Sequence, residues 1–143
     1  MRFRRSALIV SVLALGLMPR DGLAQGDKQK AVVSVKQNYP NPFNPETRGD
    51  FGIGCTGASV QYRVSVKIYN LLMQPVSTPV LQGGTGSVAG GQPLENVLLP
   101  CGQYTWYWNG NYQRTSKEAA SGVYLFVVEV NGARTSRKML IAK

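Results

Sequence analysis

The chain has 143 residues, 43% of them apolar, which suits one domain with a real core. Sixteen Lys/Arg against seven Asp/Glu give a net charge of +9, and there is no His. The lack of His excludes a Ser–His triad, and two Cys alone cannot complete a tetrahedral metal shell. Sixteen Gly and eight Pro fall between short apolar runs, a pattern of strands and turns rather than helices.

The N-terminus reads as a targeting segment. Arg2, Arg4 and Arg5 form a basic region, and Ser6 to Met18 is an apolar run too short to span a bilayer comfortably. In Gly22-Leu23-Ala24, Gly22 and Ala24 supply small residues at the −3 and −1 positions of a cut between Ala24 and Gln25, so residues 1–24 are expected to be a cleavable signal peptide. A retained anchor is the alternative. Ordinary Sec export fits better than the twin-arginine route, because the residues after Arg4-Arg5 do not complete that signal. From Gln25 onward, twelve Lys/Arg face six Asp/Glu, leaving +6. These cations are scattered, apart from Arg134, Arg137, Lys138 and Lys143. They read as a solvated face or a patch meeting anionic envelope surface, not as a nucleic-acid footprint.

Residues 25–36 are expected to be a short tether ending in a first strand over Ala31–Lys36. Gln37–Thr47 is rich in Pro and Asn. Pro40, Pro42 and Pro45 remove backbone donors, so it should run as an irregular ribbon against the domain. Tyr39 and Phe43 are expected to plug the apolar seam, and Asn38, Asn41 and Asn44 to bond backbone in turns. A calcium site with Glu46 is conceivable but short of carboxylates.

Arg48–Gly54 reads as a short strand. Gln61–Tyr69 is the clearest one, with Tyr62, Val64, Val66 and Ile68 on one face and Arg63, Ser65, Lys67 and Tyr69 on the other. Val76–Leu81 is expected as an edge strand limited by Pro75 and Pro79. After a Gly-rich loop, Gln82–Gln92, come a weak strand at Leu94–Leu99 and another at Gln103–Trp108. Tyr104, Trp106 and Trp108 share a face of the latter and read as core aromatics rather than a sugar platform. Val123–Val130 is apolar on both faces, as in a central strand. Asn131-Gly132 marks a hairpin into the last strand, Arg134–Ala142. The spacing points to an all-β, Ig-like β-sandwich of about seven antiparallel strands.

Cys55 and Cys101 would lie in an oxidising space after export, where pairing is the default. A bridge closing roughly 46 residues contributes about 4 kcal/mol in the chain-entropy model. Two buried free thiols are the alternative.

Four segments in order carry a resemblance: Gln37-Asn38-Tyr39-Pro40-Asn41-Pro42-Phe43-Asn44-Pro45-Glu46-Thr47; Val66-Lys67-Ile68-Tyr69-Asn70-Leu71-Leu72-Met73-Gln74-Pro75-Val76; Leu99-Pro100-Cys101-Gly102-Gln103-Tyr104 leading to Trp108-Asn109-Gly110; and Ala120-Ser121-Gly122-Val123-Tyr124 ending in Arg137–Lys143. Residues 37–143 resemble the C-terminal sorting domain of type IX (Por) secretion cargo, related to the Ig-like domain of flagellar hook-capping proteins. The resemblance implies a sorting signal recognised by the outer-membrane type IX machinery after Sec export, on a protein bound for the cell surface or medium. It also implies that Arg137, Lys138, Met139, Leu140, Ile141 and Lys143 are what the machinery reads, and a strand with an accessible end could be read by strand addition. An ordinary final strand with solvated cations is the plainer reading. The family pattern is not followed throughout. Asn109 stands where an acidic residue is usual, Cys101 where a small residue is common, and only Gln25–Lys36 stands where a large passenger normally precedes the domain.

No enzyme is expected. The six carboxylates after the leader are dispersed, and no phosphate-cradling Gly-rich loop opens a helix. No cofactor, small-molecule substrate or nucleic acid is implied, and a monomer is expected. The competing function is a stand-alone extracytoplasmic Ig-like structural or adhesive module, with Tyr107, Tyr112, Arg114 and the Gly-rich loop as its contact surface.

Overall fold

A computed structural model describes residues 31–57, 60–83 and 89–143. The expected leader and its cut at Ala24/Gln25, and most of the tether, lie outside the described residues. Those described form two antiparallel sheets and no helix. The strands are β1 (Val33–Val35), β2 (Thr47–Ile53), β3 (Gln61–Asn70), β4 (Pro75–Ser77), β5 (Val80–Gln82), β6 (Val97–Pro100), β7 (Gly102–Trp108), β8 (Gly122–Val130) and β9 (Ala133–Ile141). The first sheet runs β1-β2-β7-β5. The second runs β4-β3-β8-β9, with β6 also paired to β3. The architecture is a β-sandwich.

The alternation in the sequence sets the core. Tyr62, Val64, Val66 and Ile68 of β3 are fully buried, and register with β8 places them beside Val128, Val130 and Phe126. From the other sheet, Tyr104, Trp106 and Trp108 of β7 point inward and are buried. Trp106 meets Phe126 across the interface at 4.9 Å between ring centroids. Its ring lies over Gly49, its partner on β2, where an added Cβ would fall 2.5 Å from the indole. Only a glycine leaves room for that ring.

Two tyrosines fasten the entries to the long inner strands in the same way. Tyr104 donates its hydroxyl to the Pro100 carbonyl at 2.6 Å, and Tyr124 donates to Ala120 at 2.7 Å. Each reaches back four residues over a glycine, Gly102 or Gly122, whose φ of +154° or +149° suits no other residue well. These hydroxyl-to-backbone ties have the form of the tyrosine corner of Ig-like sandwiches. The sequence Gly-x-Tyr at both strand starts was the available signal.

The strands depart from expectation where the chain changes sheets. The stretch expected as one strand over Val76–Leu81 is two: β4 joins the second sheet and β5 the first. Pro79 stands at the crossing, where no ladder donor is needed, and its carbonyl accepts the Leu94 amide at 2.9 Å. The strand expected from Leu94 starts only at Val97, because Asn96 is left-handed with φ 52°. The split at Pro79 helps make nine strands among the described residues where about seven were expected.

Cys55 and Cys101 form a disulfide, with Cα atoms 5.0 Å apart. Cys55 follows β2, and Cys101 lies where the chain passes from β6 in the second sheet to β7 in the first. The bridge is compatible with an extracytoplasmic location.

Candidate recognition surface

The sorting residues singled out in the sequence, all but Lys143, lie on β9, an edge strand of the second sheet. Asn131 and Gly132, both at positive φ, close a two-residue turn that pairs Val130 with Ala133. That turn fixes the register, so alternate β9 residues face opposite ways. Met139 and Ile141 point inward and are buried at 1% and 2% exposure. They hold the strand to the core and are not available on the surface. Lys138 and Leu140 point outward, opposite Leu125 and Val123 of β8. Lys143 lies beyond the strand, with its Nζ 2.9 Å from Glu118 and its amide donated to the Ser121 hydroxyl at 3.2 Å.

Arg137 is the inward-phase residue before Met139, yet it is exposed. Its Nε donates to the Val35 carbonyl of β1 at 2.7 Å. The guanidinium therefore spans the open side between the two sheets. An inward-pointing charge on an edge strand opposes edge-to-edge pairing with another chain. At the other end of β9, Arg134 donates to Glu129 at 2.6 Å, which raises the arginine pKa.

The Pro/Asn-rich ribbon lies along the outer edge of β9. The Phe43 amide donates to the Leu140 carbonyl at 3.0 Å, and the Ala142 amide donates to the Phe43 carbonyl at 3.1 Å. Asn41 Oδ1 accepts the Leu140 amide at 3.0 Å, and Gln37 Nε2 donates to the Lys138 carbonyl at 2.7 Å. The outward backbone groups from the Lys138 carbonyl to the Ala142 amide are thereby satisfied. The accessible end anticipated for strand addition is closed at the Lys138–Ala142 half. The ribbon is fixed by its own side chains: Asn38 Nδ2 donates to Thr47 Oγ1 at 3.0 Å, and Thr47 Oγ1 donates to the Pro40 carbonyl at 3.0 Å. Phe43 fills the seam as expected, 2% exposed and edge-on to Trp108 at 5.7 Å. Tyr39 does not. Its backbone pairs with Arg48, which turns its ring to the surface beside that guanidinium, half exposed.

Tyr107, Tyr112 and Arg114, separated in sequence, line one open cleft of about 250 Å³ with Ser77, Thr78 and Gln113. Gln113 Oε1 accepts the Thr78 amide at 2.5 Å, tying the loop to the end of β4. Tyr107 also donates to Glu46 at 2.5 Å. That bond raises its pKa, followed by burial and the Glu46 charge, with Arg48 opposing. Burial, then the neighbouring Tyr112, raises that of Tyr124. No group of three His, Cys, Asp or Glu able to hold a metal occurs among the described residues.

No protein-family model matches the chain, and no curated protein matches its sequence.

Proposed function

We propose that residues 37–143 act as a non-catalytic sorting domain, directing a Sec-exported protein across an outer membrane by the type IX route. One observation supports this above the others. The first of the four resembling segments, Gln37–Thr47, and the Arg137–Lys143 end of the last are joined along one edge of the sandwich. Arg137, Lys138, Leu140 and Lys143 are exposed there, while Met139 and Ile141 anchor the strand that carries them. The destination is the cell surface or medium, with passage through the periplasm, and the partner is the outer-membrane secretion machinery.

The test places a periplasmic reporter in front of Ala31 and expresses the fusion in a bacterium that has type IX secretion. The reporter is expected at the cell surface or in the medium. Retention in the periplasm overturns the reading.

A second reading, a stand-alone binding module, draws on the cleft that collects Tyr107, Tyr112 and Arg114. It predicts an envelope partner that is lost on Arg114→Ala and kept on Lys138→Ala. The opposite pattern in a pull-down from envelope extract removes it.

A further inference from the structure

The outer edge of β9 is covered along one half only. Leu140 turns both its backbone groups outward: its amide meets Asn41 Oδ1 and its carbonyl takes the Phe43 amide. Nine consecutive pairs with β8 run from Ile141 back to Ala133 without a shift of register. Every second residue of β9 therefore shares the outward backbone phase of Leu140, which adds Lys138, Ser136 and Arg134. The Lys138 carbonyl is taken by Gln37 Nε2, and there the cover ends. Among the described residues, nothing bonds the Lys138 amide or either backbone group of Ser136 and Arg134.

This stretch is also open to approach. Ala133 to Lys138 are all exposed, including Thr135 and Arg137, which share the inward phase of Met139. The sandwich does not close over the start of β9. A row of outward amides and carbonyls at strand spacing fits one kind of occupant, another extended backbone.

The side chains select its chemistry. Arg134 is answered by Glu129. Arg137 bonds a neutral carbonyl, and Lys138 has no acidic partner among the described residues. The strand has no carboxylate of its own. Arg137 and Lys138 are adjacent and face opposite sides of the sheet, so an added strand meets one cation on each face. An inward arginine opposes an apolar or basic neighbour, which leaves its charge unanswered. A carboxylate directly opposite supplies the missing charge. A second copy of the chain fits poorly. Antiparallel pairing of two β9 edges about Ser136 sets Lys138 of each against Arg134 of the other, and like charges directly opposite destabilise.

We propose that the Arg134–Lys138 edge of β9 binds an extended acidic segment of a partner protein by strand addition, with adjacent carboxylates opposite Arg137 and Lys138. The ribbon sets the length, because the free lane holds about five residues before Gln37 blocks it. Sorting does not require this edge, so binding and export can fail separately.

Fluorescence anisotropy of labelled peptides on the purified, oxidised protein tests this. The probe is Thr-Val-Glu-Glu-Val-Thr, blocked at both ends. One control replaces Glu-Glu by Lys-Lys. The other, Thr-Pro-Glu-Glu-Pro-Thr, keeps the charge but lacks backbone donors. The acidic probe is expected to bind about tenfold more tightly than either control and to slow hydrogen exchange at the Ser136 amide. Ser136→Pro removes an outward donor and spares the β8 ladder. It is expected to weaken probe binding about tenfold with the thermal midpoint unchanged. Should that variant unfold, exchange at Ser136 in the native protein decides alone. Equal binding of the proline control, binding without slower exchange at Ser136, or no binding at millimolar probe overturns the proposal. A dimer of the protein alone that dissociates in Ser136→Pro gives the edge to a second copy and also overturns it.

Discussion

Tyr104 and Tyr124 each fasten a strand entrance with one hydroxyl, and the pair offers a clean test of what such a bond contributes. Each hydroxyl is part-buried and reaches a backbone carbonyl four residues back. Replacing either by Phe keeps the ring and leaves that carbonyl without its donor. Tyr104→Phe and Tyr124→Phe are each expected to lower stability by about 1 kcal/mol, read from the urea midpoint. Alkaline pH probes the same chemistry. The pKa values of Tyr107 and Tyr124 are raised above the ordinary 10.0. Above pH 10 the unfolded chain loses protons that the folded one retains, so ionisation favours unfolding. Stability from these groups is therefore fully present below pH 10 and declines as pH rises through the raised folded values. Urea midpoints taken on both sides of pH 10 are expected to fall on the alkaline side, with a shallower fall in Tyr124→Phe.

Among the elements, β9 depends most on a neighbour distant in sequence. Asn41 supplies a side-chain acceptor to the Leu140 amide across 99 positions. Asn41→Ala is expected to cost about 0.5 kcal/mol, because the site is exposed, and to speed hydrogen exchange at the Leu140 amide. Unchanged exchange there would show that the ribbon does not close this edge in solution. Elements of this kind mark where the sequence could be read and where it could not. The strict alternation from Tyr62 to Ile68 and the inward set Tyr104, Trp106 and Trp108 gave both inner strands with their faces, since period 2 is a local property. The split at Pro79 was not legible: a proline limits a strand in the sequence but does not say which sheet receives each half. Nor was the closure of β9, which depends on two segments meeting in space. The candidate recognition residues on β9 could be named from the sequence, but Met139 and Ile141 could be separated from the exposed ones only once the register was known.

For the whole molecule, the disulfide is the strongest single tie outside the core. It links the end of β2 to the crossing between sheets, over a separation of 46 residues. Reduction is expected to cost about 4 kcal/mol, the entropy restored to an unfolded chain freed of that loop. A denaturation midpoint indifferent to reductant would show that the bridge adds little. The meeting of Phe43 with Leu140 and Ala142 has a further consequence. A segment near the start of the sandwich and one near its end must both be in place before this edge exists at all. A chain that has stalled, been clipped, or lost either partner presents a different outline there. A binding partner sensitive to that edge would tell copies in which the two segments have met from copies in which they have not.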